Sequence, residues 1–124
     1  MKIFNQTADY SEKVNFVDIN NVFVGYDLSC NCCERADYFI SKEELCNTIS
    51  GNGIINDLND YVFDLTYFVE IENENLDEGG MVRFKLICKD KPDLFLHLYN
   101  IHNGYYGHGF EAKIQDKLWK TGSL

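Results

Sequence analysis

Proline is almost absent from this 124-residue chain, with Pro92 the single example, and no Ser/Gly/Pro-rich stretch, repeat or low-complexity tract interrupts it. Nothing marks a domain boundary, so one globular domain over residues 1–124 is expected. Long apolar runs are missing as well. No segment nears the roughly 20 apolar residues of a membrane helix, and Met1-Lys2-Ile3-Phe4-Asn5 turns polar at once, so the sequence predicts neither a spanning helix nor an export signal. Basic charge is scarce: 11 Lys and Arg stand against 20 Asp and Glu, a formal net charge of −9. Unaided DNA or RNA binding draws on phosphate neutralisation by Lys and Arg, so no nucleic-acid partner is expected, and the natural partner is basic. Cysteine is present in odd number, as Cys30, Cys32, Cys33, Cys46 and Cys88. Without an export signal this argues against a disulfide framework and for reduced thiols in the cytoplasm.

What the chain has in quantity is apolar and aromatic side chains, 45% and 15% of its residues. That is enough to bury a core despite the acidity, which excludes intrinsic disorder. Charge is unevenly split along the chain. Residues 1–80 carry 16 acidic and 4 basic side chains, a balance of −12, whereas residues 81–124 carry 4 acidic and 7 basic, a balance of +3.

Hydrophobic periodicity points to strands. Asn20-Asn21 lies between the β-branched and aromatic runs Val14–Ile19 and Val22–Leu28, and asparagine tolerates the positive φ of a tight hairpin. Ser41-Lys42-Glu43-Glu44 has the form of a capping box and predicts a short helix over 42–49, stopped by Ser50-Gly51-Asn52-Gly53. From Tyr61 to Ile71 every odd position is apolar, and the phase continues beyond a turn-rich stretch in Val82, Phe84, Leu86 and Cys88. A period of two is a strand signal. A hairpin register that sets Ile71 opposite Phe84 also places Glu70 beside Lys85 and Glu72 beside Arg83. Lys91-Pro92-Asp93 reads as the next turn, Leu94–Ile101 as a central strand apolar on both faces, and the residues after Asn103-Gly104 as a strand reaching about Ile114. Leu118 and Trp119 are expected to pack back on the body. Together these predict an α+β domain, an antiparallel β-meander of about six strands with one short helix.

Several groups of residues could carry chemistry. Cys30, Cys32, Cys33 and Cys46 with His102 and His108 are zinc-type ligands, but the spacing lacks two paired knuckles, and small buried thiols are the plainer reading. A cysteine nucleophile with a histidine base has no motif around it here. Asp57, Asp60 and Asp64 fit a solvated turn and strand better than a metal-assisted phosphoryl site, and the glycines at 104, 107 and 109 lack the Lys and Ser/Thr of a phosphate loop. No cofactor, metal or catalytic residue is therefore expected. Two features suit recognition instead. Glu70, Glu72, Glu74, Asp77 and Glu78 gather at a strand end and its turn, and Tyr105-Tyr106 would give contact area with polar tips at small entropic cost.

The blocks Asn21-Val22-Phe23-Val24-Gly25-Tyr26-Asp27, Cys32-Cys33-Glu34, Phe39-Ile40 and His102–Phe110 resemble those of a family of small bacterial and phage proteins that carries no transferable activity. The resemblance implies a compact single domain. In size, acidity and want of a catalytic constellation the chain is also similar in kind to the immunity proteins of contact-dependent inhibition systems, which block a toxin domain, often a basic nuclease. The expected function is that of an intracellular immunity or inhibitor protein, not an enzyme, gripping a basic toxin domain through Glu70, Glu72, Glu74, Asp77, Glu78, Tyr105 and Tyr106. A small metal-binding or Cys/His enzyme and a phage or bacterial accessory structural protein are the alternatives. The sequence leaves oligomeric state open.

Overall fold

The structure, a computed structural model, describes residues 1–9, 11–29, 35–44, 58–71, 80–101 and 107–124. It contains nine strands: β1 (Lys2–Ala8), β2 (Ser11–Val17), β3 (Val22–Asp27), β4 (Arg35–Ser41), β5 (Val62–Ile71), β6 (Gly80–Cys88), β7 (Lys91–Ile101), β8 (Gly109–Ile114) and β9 (Lys117–Ser123). They form two antiparallel sheets of order β1-β2-β3-β8-β9 and β4-β7-β6-β5. The expectation of an α+β meander is thus corrected: among the described residues the protein is all-β with no helix, and it has nine strands rather than six.

The predicted helix fails at its cap. Ser41 ends strand β4 opposite Phe95, and its hydroxyl donates to the Glu43 carbonyl (2.7 Å) instead of accepting a helical amide. Residues 42–44 are not helical, and 45–49 lie outside the described residues. The Asn20-Asn21 hairpin is present, with Val17 opposite Phe23 and Asn21 at φ 61°. Asp9, Asp90 and Gln115 take the same left-handed conformation in the β1–β2, β6–β7 and β8–β9 turns, and Asp tolerates it because its short side chain bonds locally. The turn between β6 and β7 is therefore Lys89-Asp90, and Lys91-Pro92-Asp93 already belongs to β7. Strand β7 does occupy an interior place, between β4 and β6.

The sheets pack face to face. Val14, Phe16, Val24, Tyr26, Phe110 and Ala112 of the first meet Ile40, Val82, Phe84, Leu86, Leu96 and Leu98 of the second, all buried. Among the described residues rings cross the interface in three places: Phe16 with Tyr38 at 5.0 Å, Phe68 with Phe110 at 6.0 Å, and Phe84 with Trp119 at 5.8 Å between centroids. Trp119 does pack on the body as expected, whereas Leu118 is 60% exposed. A further brace comes from Tyr26, whose hydroxyl donates to the Tyr99 carbonyl at 2.8 Å and whose burial pushes its phenol well above the ordinary range.

Two glycines make room for this packing, with different consequences. A Cβ at Gly122 would come 2.9 Å from the Phe110 ring, which is held in the core, whereas one at Gly25 would meet the end of the flexible Lys13 side chain at 2.5 Å and the tip of the half-buried Phe23 ring at 2.9 Å. Gly122→Ala is expected to cost about 1–3 kcal/mol of stability by overpacking, and Gly25→Ala less, because Lys13 can swing away and Phe23, half-buried, can give where the core-held Phe110 cannot. Urea unfolding of the two variants checks the order.

Strand β5 departs most from the sequence reading. Ile71, Glu70, Val69 and Phe68 pair with Met81, Val82, Arg83 and Phe84, but Phe63 and Val62 pair with Leu86 and Ile87, so the register shifts between Phe63 and Phe68. Within that bulge Asp64 accepts the Thr66 amide (2.9 Å) and hydroxyl (2.6 Å), and these bonds hold its carboxyl below the usual range. A bulge reverses the side-chain alternation. Phe63 and Phe68 both touch Phe84 in the core, although one number is odd and the other even. The register expected from the odd-numbered apolar series is therefore wrong: Ile71 faces Met81, Glu70 faces Val82 rather than lying by Lys85, and Arg83 faces Val69.

Candidate functional site

The side of the β4-β7-β6-β5 sheet turned away from the core carries an ordered polar set. Its central row, read across the four strands, is Phe39, His97, Arg83 and Val69; the rows beside it hold Asp37, Tyr99, Met81 and Ile71, and Ser41, Phe95 and Lys85. His97 is fully buried and Arg83, Ser41 and Tyr99 nearly so. Phe39 stacks on the His97 ring at 4.1 Å with planes 9° apart.

Within this set the protons run one way. The Ser41 hydroxyl donates to the Glu43 carbonyl at 2.7 Å, so its oxygen accepts from His97 Nε2 at 2.9 Å. His97 Nδ1 then accepts from Arg83 Nε at 3.4 Å. A hydroxyl has one proton and a neutral imidazole one donor and one acceptor, so the four groups specify a single tautomer with hydrogen on Nε2. Burial, and after it the Arg83 charge, pulls the His97 pKa down to about 3. A Ser–His pair at this distance has the look of a nucleophile and its base, yet its direction is the reverse: the nitrogen that faces Ser41 carries a proton, and the lone pair needed for general-base work faces Arg83. The arrangement fixes side chains in place.

Arg83 also reaches the Tyr67 hydroxyl, which donates in turn to Glu44 Oε1 at 3.0 Å. Lys85 pairs with Asp93 at 3.4 Å, not with Glu70. On the other sheet a shallow depression of about 330 Å³ is lined by Lys13, Asp27, Glu111 and Thr121 over glycines 25, 109 and 122. Its charges are mixed, and Glu111 is paired with Lys113 at 3.1 Å.

Of the residues expected to bind a partner, Glu70 is exposed one position before the end of β5. Glu72, Glu74, Asp77, Glu78, Tyr105 and Tyr106 lie outside the described residues, as do Cys30, Cys32, Cys33, Cys46, His102 and Asp57. Cys88 is a half-buried free thiol. His108 is buried, and its Nδ1 donates to the Asp27 carbonyl at 2.7 Å, tying the start of β8 to the end of β3. Among the described residues no three His, Cys, Asp or Glu side chains come together as metal ligands. No described helix is long and apolar enough to cross a membrane.

Sequence reasoning passed over His97, Arg83 and Ser41 as functional partners, having placed Ser41 at a helix start. It also passed over Asp18, a buried carboxylate whose Oδ1 accepts the Asn20 and Val22 amides, both at 2.9 Å, and whose Oδ2 accepts the Phe63 amide at 2.9 Å. The signal for the first two bonds was present, since Asp followed two residues later by Asn in a hairpin tip is an Asx-turn pattern. The third bond crosses between the sheets and has no local signature. No protein-family model, curated protein or solved structure matches the chain.

Proposed function

We propose that this chain is a binding protein of the immunity type, which neutralises a basic toxin domain, of nuclease character, by presenting carboxylates and tyrosines to it. One observation carries the reading: where the charge sits. Among the described residues, the nine strands hold nine basic and seven acidic side chains, whereas those outside the strands hold seven acidic and two basic. The described strands are thus slightly positive and the described residues between them negative, and such connections are the part of a β-domain where recognition residues are usually carried on a rigid scaffold. A negative field of this kind steers a positively charged partner and raises the rate of encounter, and a few desolvated aromatic anchors then hold the complex. Glu70, Glu72, Glu74, Asp77 and Glu78 are the proposed steering group, with Tyr105 and Tyr106 as anchors. The proton order around His97 supports binding over catalysis, because it spends Ser41 and His97 on holding β4 against β7.

The test is co-expression with the toxin domain encoded in the adjacent reading frame. Growth should be restored and a complex recovered, with association slowing at least tenfold between low and physiological salt and slowing further when Glu70, Glu72 and Glu74 are changed to Lys. Growth arrest that persists with every neighbouring toxin domain would overturn the proposal.

A further inference from the structure

Each sheet has two outer strands, and three of the four are guarded against pairing with another chain. Strand β5 carries the bulge between Phe63 and Phe68, a local bond from the Thr66 amide to Asp64, and the exposed Glu70. Strand β9 has a register shift opposite Ala112 and Lys113 and the two cations Lys117 and Lys120. On β4 the Asp37 side chain takes up the Tyr38 amide at 2.8 Å, beside the exposed Arg35. Bulges, charges and captured amides are the usual protections of an open edge.

Strand β1 has neither a bulge nor a captured amide, and its one charge, Lys2, stands at its first residue. It pairs with β2 in unbroken register from Lys2 opposite Val17 to Ala8 opposite Ser11. Ile3-Phe4-Asn5-Gln6-Thr7-Ala8 contains neither charge nor proline, and Asn5 to Ala8 are exposed. An edge of this length, regular in register and uncharged after Lys2, presents a row of backbone donors and acceptors.

We infer that this edge pairs with the same edge of a second copy of this chain, antiparallel about a two-fold axis at Asn5, joining two five-stranded sheets into one of ten. The strand's own sequence selects that occupant. With Asn5 facing Asn5, all seven residues overlap, Ile3 meets Thr7, and Phe4 meets Gln6, so no charge faces a like charge. The single cation, Lys2, meets Ala8 and lies next to the carboxylate of Asp9 in the turn beyond it. A closed, self-complementary contact is the commonest form of soluble oligomer. Each copy carries a net −9, so repulsion between the bodies opposes the contact and salt relieves it, because the screening length is about 8 Å at physiological ionic strength. This pairing does not depend on the toxin-binding reading.

Sedimentation or light scattering of the full chain, from micromolar to millimolar concentration, tests it. A doubled mass is expected, with the dimer dissociation constant falling several-fold from low to physiological salt. Asn5 is exposed and its Nδ2 donates to Glu12 Oε1 at 3.3 Å, so Asn5→Lys keeps a partner within the chain while placing two cations face to face on the axis. Asn5→Lys and Asn5→Asp should each be monomeric, and an equimolar mixture of the two should recover the doubled mass. Circular dichroism and the unfolding midpoint establish that both variants are folded. In the wild type, alternate amides of residues 2–8 should gain hydrogen-exchange protection as concentration rises. A wild-type chain that stays monomeric, variants that stay dimeric, a mixture that fails to dimerise, or β1 amides indifferent to concentration would each overturn the inference.

Discussion

Replacing Asp18 with Ala is expected to lower stability by about 3 kcal/mol or more. Its carboxylate accepts three amides, those of Asn20 and Val22 in the β2–β3 hairpin and that of Phe63 at the start of β5 in the other sheet. Asp18 is 5% exposed, so water does not readily replace it. Each buried donor left without an acceptor costs roughly 1–3 kcal/mol. Against the 5–15 kcal/mol that holds a domain of this size together, the loss is a large share. Asp18→Asn separates the contributions. Its amide keeps one oxygen as acceptor and turns an NH₂ group toward the remaining amides, so either the hairpin bonds or the bond to Phe63 survives, but not both. A urea midpoint between those of the wild type and the alanine variant is the expected outcome; an asparagine variant as stable as the wild type would remove Asp18 as the clip between the sheets.

The second large effect is on pH. His97 is neutral in the folded protein, with its pKa drawn down to about 3 by burial and then by Arg83, whereas in the unfolded chain it titrates near its ordinary 6.5. Below 6.5 the unfolded chain binds a proton that the folded one refuses, so stability falls as pH drops through that value and goes on falling until about 3. At 1.36 kcal/mol per pH unit, the loss between neutrality and pH 5 is about 2 kcal/mol. His97→Gln keeps an acceptor for Arg83 and a donor for Ser41 without a titrating proton. The difference between the unfolding curves of wild type and this variant over pH 5–7 isolates the histidine, since every other titrating group is common to both. Parallel curves would show that His97 is protonated in the fold, and the proton order assigned to Ser41, His97 and Arg83 would be wrong.

The strands that the sequence displayed and those it concealed differ in position. Strands β2, β3, β6, β7 and β8 are flanked on both sides by other strands, and their apolar residues announce them. The three that sequence patterning missed as strands, β1, β4 and β9, are all outer strands, half exposed, with polar residues where an interior strand would have apolar ones. Ser41-Lys42-Glu43-Glu44 shows how local chemistry misleads there: the same serine that could cap a helix accepts from His97 Nε2, 56 residues away, and the strand pairing that brings them together wins.

The fourth outer strand, β5, was recognised, but its faces were assigned wrongly. Tyr61, Phe63, Leu65, Tyr67, Val69 and Ile71 fill every odd position, with Val62 and Phe68 apolar at even ones, yet Phe63 lies in the core, Leu65 is 44% exposed, and Val69 and Ile71 share the far side of the sheet with Arg83 and Met81. Alternation is the same before and after a bulge when both faces of the sheet accept apolar residues, so periodicity cannot reveal where the chain changes face. The partner-binding reading was legible only as charge. Seen along the chain, the acidity divides into a negative first part and a slightly positive last part; seen on the described residues of the fold, the strands are slightly positive and the residues between them negative.

Composition alone settled that this chain buries an aromatic core with negative charge to spare, because apolar content and net charge are sums that do not depend on arrangement. Alternation added the interior strands, because a pleated backbone sends successive side chains to opposite sides whatever it later packs against. Which strands became neighbours, where β5 changes face, and why Asp18, His97 and Arg83 are buried were decided by the tertiary structure. Those outcomes rest on contacts between residues tens of positions apart, and such contacts exist only once the two sheets have closed on each other.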